Sequence, residues 1–107
     1  MQHPTLDSIL EELNHATNPI AKVILQGKAC KVLVLAMKKG MKLKEHTAKM
    51  PSDLLILYGS VQYMANDEII KLKTLEHVSI PVGLKHELYA AESDCVCILS
   101  QSEKNNS

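Results

Sequence analysis

The sequence has no arginine, no tryptophan and no phenylalanine, and three tyrosines are its only large aromatic residues. Its twelve lysines are balanced by twelve acidic residues, so the formal net charge is zero. Arginine forms the bidentate contacts that hold phosphate groups, and aromatic rings are the platforms on which bases and sugars stack. A neutral chain without these residues is not expected to bind nucleic acid.

Long hydrophobic runs are also absent, so we expect no membrane-spanning segment and no membrane partner. The N-terminal residues Met-Gln-His-Pro are not a basic region followed by an apolar run, and no signal peptide is expected either. The three cysteines, Cys30, Cys95 and Cys97, are an odd number. These features predict reduced thiols in a cytoplasmic protein, and the length of 107 residues predicts one domain with one core.

One segment, residues 5–16, has the periodicity of a helix. Its apolar residues, which are Leu6, Ile9, Leu10 and Leu13, fall on one face. Asn18-Pro19 marks the end, because the residue before proline disfavours helical conformation. A helix this short is marginal alone in water, so we expect its apolar face to dock on the outside of the strands that follow or on a partner subunit.

From Ile20 onward the apolar residues alternate with the period of two that is typical of strands. The segment 28–37 has apolar residues on both sides, which predicts a strand covered on both faces. Residues 47–53, which include Pro51, are predicted to form a loop, and residues 65–68 a hairpin turn. The predicted strands are residues 20–25, 28–37, 41–44, 54–58, 61–64, 69–72, 77–80, 86–91 and 95–99.

Eight or nine short strands after a single helix predict an all-β sandwich or barrel. We expect residues 1–19 to form the helix and a linker, and residues 20–100 to form the β domain. Residues 101–107 are expected to be a disordered polar tail.

Two motifs resemble those of the cupin superfamily, and the resemblance covers roughly residues 28–100. The residues that resemble the first motif are Gly40, His46, Asp53 and Gly59. The stretch Pro81-x-Gly83-x-x-His86 resembles the second, about twenty residues further on. The resemblance implies a double-stranded β-helix, the cupin jelly-roll barrel, with a pocket inside it and often a homodimer.

The chain also departs from the family pattern. Ala48 stands where a second histidine is typical, Asp53 where a glutamate is typical, and Ala90 where an asparagine is frequent. The family's usual set of three histidines and one glutamate is therefore reduced to His46 and His86, with Asp53 one residue closer to the next glycine than the family spacing. With Tyr63 and Met64, these residues are the predicted lining of the pocket.

Three functions remain open. The first is a binding or sensing module that holds a small molecule in the barrel near His46 and His86. The second is an enzyme. It would be a metal-dependent dioxygenase or isomerase with iron, manganese, nickel or zinc on the same histidines, or a metal-free enzyme with one histidine as general base. The third is a structural protein whose pocket has collapsed.

A catalytic metal site commonly has at least three protein ligands. The third ligand would have to come from Asp53, Tyr63, His77 or a thiol. Cys95 and Cys97 lie on the same side of one strand, where a soft metal site or a redox pair is the alternative to packing. Packing is the expectation for these thiols, because cysteine is among the most buried residue types.

A homodimer is expected on physical grounds. An amphipathic helix and open sheet edges need cover, and edge pairing between identical chains provides it.

Overall fold

The computed structural model describes residues 4–102, except for the side chains of residues 4–6 and 46. The predicted tail beyond Ser102 lies outside the described residues. Nine strands follow one helix, and together they confirm the all-β class. The helix is α1 (Pro4–Asn14), and the strands are β1 (Ile20–Gln26), β2 (Cys30–Met37), β3 (Lys42–Thr47), β4 (Ser52–Tyr58), β5 (Ser60–Ala65), β6 (Glu68–Lys73), β7 (His77–Ile80), β8 (Lys85–Tyr89) and β9 (Cys95–Ser102).

The strands form two antiparallel sheets that face each other. The first sheet has the order β1-β2-β9-β4-β7 and the second the order β3-β8-β5-β6. Side chains from both sheets make one core, since Leu54 and Cys97 of the first pack in the same buried cluster as Tyr63 and Leu88 of the second. This arrangement is the predicted jelly roll.

Strand β2 is covered on both faces, as its sequence predicts. Leu35 and Met37 point into the core between the sheets. Val34 and Ala36 point the other way and pack in a second buried cluster with the helix. Neighbouring residues of a strand point to opposite faces, so a run with apolar residues at every position has to be buried on both sides.

Helix α1 docks on the outside of the barrel, the first of its two predicted supports. Ile9 and Leu13 are buried against the outer face of the first sheet. The side chain of Leu6 lies outside the described residues. Residues 15 and 16, predicted as helix, instead form a turn, in which the amides of His15 and Ala16 donate to carbonyls three residues earlier.

Most strand boundaries lie within two residues of the predicted ones, and non-local pairing explains three of the differences. Strand β3 extends through His46 to Thr47, where it pairs with β8. Strand β4 begins at Ser52, directly after Pro51, because it pairs with β7 on one side and β9 on the other. Strand β9 continues to Ser102, whose amide donates to the carbonyl of Pro51, so residues 101 and 102 are strand.

The hairpin between β5 and β6 turns at Asn66 and Asp67, which have positive φ angles of 52° and 62°. Asparagine and aspartate tolerate this left-handed backbone, and two such residues give a turn whose twist matches that of the strands. Among residues 4–102, no helix is long and apolar enough to cross a membrane.

Candidate functional site

One mouth of the barrel holds a cavity of about 300 Å³. Its walls come from both sheets and from the loop between β3 and β4. The residues that line it are Lys31, Thr47, Ala48, Lys49, Met50, Ser52, Ile80, His86, Leu99 and Gln101.

The wall from the first sheet is a single row across four strands. Lys31 of β2 lies opposite Gln101 of β9, which lies opposite Ser52 of β4, and Ser52 in turn lies opposite Ile80 of β7. Directly opposed residues of antiparallel strands share one face of the sheet. The register alone therefore brings these four side chains to the same edge of the barrel interior.

The wall from the second sheet is built around His86. The tight turn before it places Gly83 at a φ of 81°, a conformation that favours glycine. The amide of Gly83 donates to the carbonyl of Ala48, and the amide of Leu84 donates to the carbonyl of Pro81. The Pro-Val-Gly-Leu segment thereby starts β8 at the cavity, and His86 is only 4% exposed.

The imidazole of His86 has a defined orientation. Its Nδ1 atom lies 3.1 Å from the carbonyl oxygen of Leu84. A carbonyl oxygen only accepts, so Nδ1 carries a proton and donates it.

Tyr63 supports the histidine from the core side. Its ring centroid lies 5.9 Å from that of His86, with an angle of 42° between the planes. Tyr63 is buried, and this burial raises the pKa of its phenol above the ordinary value. The side chain therefore acts as a neutral partner that packs against the imidazole.

His46 is opposite His86 in the register of β3 and β8. The pairing of the two strands is irregular between Leu43 and His46. The side chain of His46 lies outside the described residues, so the backbone alone relates the two predicted site histidines.

Two predicted pocket residues lie on outer faces of the barrel. Asp53 is exposed, between the buried Ser52 and Leu54, and its carboxylate accepts a hydrogen bond of 2.6 Å from the hydroxyl of Ser79. Met64 lines a separate open groove of about 690 Å³ on the outside of the second sheet. The structure does not bring these two side chains to the cavity at the barrel mouth.

The other candidates for a third metal ligand, His77 and the three thiols, are not among the residues that line this cavity. His77 is exposed on β7, and Cys30 is exposed at the start of β2. Cys95 and Cys97 are fully buried in the core, where the hydrogen bond with Cys95, together with burial, raises the pKa of the Cys97 thiol. The two thiols pack with apolar neighbours in the core, which agrees with the predicted packing role.

The described donor set does not fit a catalytic metal centre. Such a centre commonly has three protein ligands, and His86 is the one histidine, cysteine, aspartate or glutamate among the described side chains that line the cavity. Across the part of the chain with described side chains, no group of three or more such residues is arranged to hold a metal ion.

Five polar residues of the cavity were not predicted from the sequence, and they are Lys31, Thr47, Lys49, Ser52 and Gln101. A usable signal exists for Gln101, because Cys95, Cys97 and Leu99 alternate toward it along one face of β9. The same alternation runs from Met37 back through Leu35 and Leu33 to Lys31. Extending both patterns by one step would have placed these two residues at the barrel mouth.

The fold and the cavity define a small β-barrel protein with one polar-lined mouth. No family model matches the sequence, and no curated protein matches it either.

Solved structures do match the fold. An uncharacterised conserved protein with a double-stranded β-helix domain from Klebsiella pneumoniae is 17% identical, with 92% of this chain and 90% of that chain covered at a TM-score of 0.76. A cupin-2 domain-containing protein from Shewanella frigidimarina is 18% identical, with 91% of each chain covered at a TM-score of 0.70. KdgF from a Halomonas species is 14% identical, with 84% of each chain covered at a TM-score of 0.73. The chain has the cupin fold, as its two motifs predict.

Proposed function

We propose that this cupin-fold protein binds a small molecule in the cavity at the barrel mouth, in contact with His86. The observation that supports the proposal is a nearly buried imidazole at the wall of a cavity of about 300 Å³. Ligand pockets in proteins have volumes of roughly 300–1,000 Å³ and combine apolar walls with a few well-placed polar groups. A protein whose barrel had collapsed would have core side chains in this space.

The mixture of apolar and polar residues in the cavity wall also supports a binding function. Ile80, Leu99 and Ala48 provide apolar surface, and Ser52 and Gln101 provide polar atoms beside it. Ser52 is held in place because its hydroxyl donates to the carbonyl of Met50 at 2.9 Å. Rigid polar groups in an apolar wall give a pocket its orientation and specificity.

The proposal is tested by thermal shift with a set of small neutral, cationic and anionic compounds. A ligand that binds the native state raises the melting temperature. We expect at least one class of compound to stabilise the wild type and His77→Leu, and to lose its effect in His86→Leu. His77 is the matched control because it is exposed on β7, outside the cavity lining. A set without any stabilising compound, or stabilisation that His86→Leu retains, would contradict the proposal.

The second candidate function is a metal-dependent enzyme with His46 and His86 as ligands. The observation that favours it is the register, in which the two residues are directly opposed on neighbouring strands. The described donor set falls short of three ligands, so no catalytic step is derived for it. Elemental analysis of untagged protein tests this candidate: near-stoichiometric iron, manganese, nickel or zinc that is lost in His86→Leu and kept in His77→Leu would support it over simple binding.

A further inference from the structure

We infer that the ligand of the barrel-mouth cavity is a small carboxylate with a short apolar body, an inference that rests on the proposed function. The carboxylate pairs with Lys31 and Gln101 on the wall from the first sheet. The apolar body lies against Ile80 and Leu99.

The cavity wall carries charge of one sign. Lys31 and Lys49 line it, and no aspartate or glutamate is among the described side chains of its lining. This imbalance is local, since the chain has twelve acidic and twelve basic residues. The groove on the outside of the second sheet has the opposite character, and its carboxylates are Glu45, Asp67, Glu68 and Glu87. A cleft lined by one sign of charge concentrates ligands of the opposite sign.

Lys31 is the cation most closely tied to the cavity. It is half-buried on the inward-facing side of β2, whereas Lys49 is exposed. The ion pairs among the described side chains are those of Lys22 with Glu12 and of Lys71 with Glu92, both at the surface. Lys31 therefore has no carboxylate partner within the described part of the chain. A half-buried ammonium gains more from an anionic partner than one in bulk water, because screening is weaker there.

Gln101 completes a two-donor wall. It lies directly opposite Lys31, so the two side chains extend from the same face of the sheet, and both line the cavity. The hydroxyl proton of Ser52, the next residue in the row, is already donated to Met50. The ammonium and the amide N–H₂ remain as donors, and two adjacent donors match the two oxygens of a carboxylate.

The rest of the wall favours a carboxylate over other anions and over neutral sugars. The chain has no arginine, and α1 packs on the outside of the barrel, so the usual phosphate ligands of a bidentate guanidinium and a helix N-terminus are not at this cavity. Tyrosine is not among its described lining residues, so a sugar has no phenol ring to stack on. Ile80, Leu99 and Ala48 instead provide a surface for a short hydrocarbon chain.

The test compares three molecules of nearly the same shape: butyrate, its neutral analogue butyramide and the cation butylamine. Chemical-shift titrations of the full-length protein would be recorded for the wild type, for Lys31→Met and for the matched control Lys28→Met. Lys28 is exposed in the connection between β1 and β2 and is not a lining residue. Methionine keeps an unbranched stem of similar length and removes the ammonium group.

We expect butyrate to bind more tightly than butyramide, and butylamine to bind least. Lys31→Met should weaken butyrate by about tenfold, the loss of one charge-assisted hydrogen bond, and leave butyramide nearly unchanged. Lys28→Met should leave both unchanged. The shifted resonances should include those of His86 and Gln101.

Three results would overturn the inference. The first is that butyrate binds Lys31→Met as tightly as the wild type, and the second is that butyrate shifts residues away from the cavity. The third is that butyramide or butylamine binds through His86 while butyrate does not, which would leave the proposed function in place. Failure of all three, together with failure of the wider compound set, would contradict both.

Discussion

The Nδ1 atom of His86 lies 3.1 Å from the carbonyl oxygen of Leu84, two residues earlier in the chain. The bond joins the buried imidazole to the backbone of the turn that begins β8. It fixes both the orientation of the ring and the nitrogen that carries the proton. The same bond therefore contributes to the turn as well as to the cavity.

The first prediction separates these two contributions. Replacing His86 with leucine leaves the Leu84 carbonyl without its side-chain donor, and should lower the free energy of unfolding by about 1–2 kcal/mol. His86→Asn keeps an N–H at a similar position and should lower it by less. Urea denaturation of both variants measures the difference. Equal losses would show that the hydrogen bond does not contribute to stability.

The second prediction concerns two glycines of the first motif. Gly40 and Gly59 have φ angles of 93° and 84°, but only Gly59 lies close to other backbone atoms. A Cβ atom at Gly59 would overlap the carbonyl of Asp94, whereas one at Gly40 would meet no atom within 4 Å. Gly40→Ala should therefore lower the free energy of unfolding only through the strain of a positive φ angle, by about 1–2 kcal/mol.

Gly59→Ala should lower the free energy of unfolding by at least about 3 kcal/mol, because overlap with the Asp94 carbonyl adds to the strain of the positive φ angle. Thermal and urea denaturation of the two variants provide the comparison. Similar losses would mean that the turn next to Asp94 moves aside easily.

The sequence predicts the strands well because alternation is a local property of the chain. The period of two and the breaks at glycine and proline place nine strands close to their observed positions. His86 reaches the cavity for a local reason as well, since the turn that precedes it contains Pro81 and Gly83. The alternating pattern thus predicts the fold, and the second motif predicts one residue of the cavity, His86.

The rest of the cavity depends on contacts between distant parts of the chain. Asp53 follows Pro51 and is predicted as a loop residue, yet pairing with Ser79 and Ser100 makes it part of β4 and turns it outward. Lys31 and Gln101 are far apart in sequence and meet only through the register of β2 and β9. A register between distant strands cannot be read from either strand alone.

The third prediction concerns thiol reactivity. Cys30 is exposed, whereas Cys95 and Cys97 are buried. The thiolate is the reactive form of cysteine, and the raised pKa of Cys97 keeps that thiol protonated as the pH rises through the range where free thiols ionise. Cys95 and Cys97 are both out of reach of a bulky reagent, so an aromatic disulfide should modify one thiol per native chain and all three in denaturant.

The variant Cys30→Ser is the control for this measurement. It should show almost no fast reaction in the native state and two thiols after unfolding. A second thiol that reacts at the rate of Cys30 in the native wild type would show that the barrel opens near β9, contrary to the buried positions of its cysteines.

The fourth prediction is a homodimer formed through the edge of β1, which we propose from the exposed residues of that strand. Val23, Ile24 and Leu25 are consecutive apolar residues that are 46%, 45% and 59% exposed. Within the described part of the chain, β1 pairs only with β2, so the backbone groups of its other edge are open. Open edges are usually protected by charges, as on β6, where Glu68, Lys71 and Lys73 flank the exposed isoleucines. The edge of β1 carries one charge, Lys22, and its apolar segment from Val23 to Leu25 is suited to antiparallel pairing with the same strand of a second copy.

Sedimentation velocity tests this dimer with two matched charge substitutions. Leu25→Lys would place a charge in the apolar segment of the paired edge, so the dissociation constant should rise at least about tenfold. Ile69→Lys is the control, since Ile69 is 65% exposed on the edge strand of the other sheet and should leave the dimer intact. Both substitutions replace exposed side chains, so both variants should keep the circular dichroism spectrum of the wild type. A monomeric wild type would contradict the proposal. Dissociation by Ile69→Lys and not by Leu25→Lys would also contradict it, because the contact would then lie at the edge of β6.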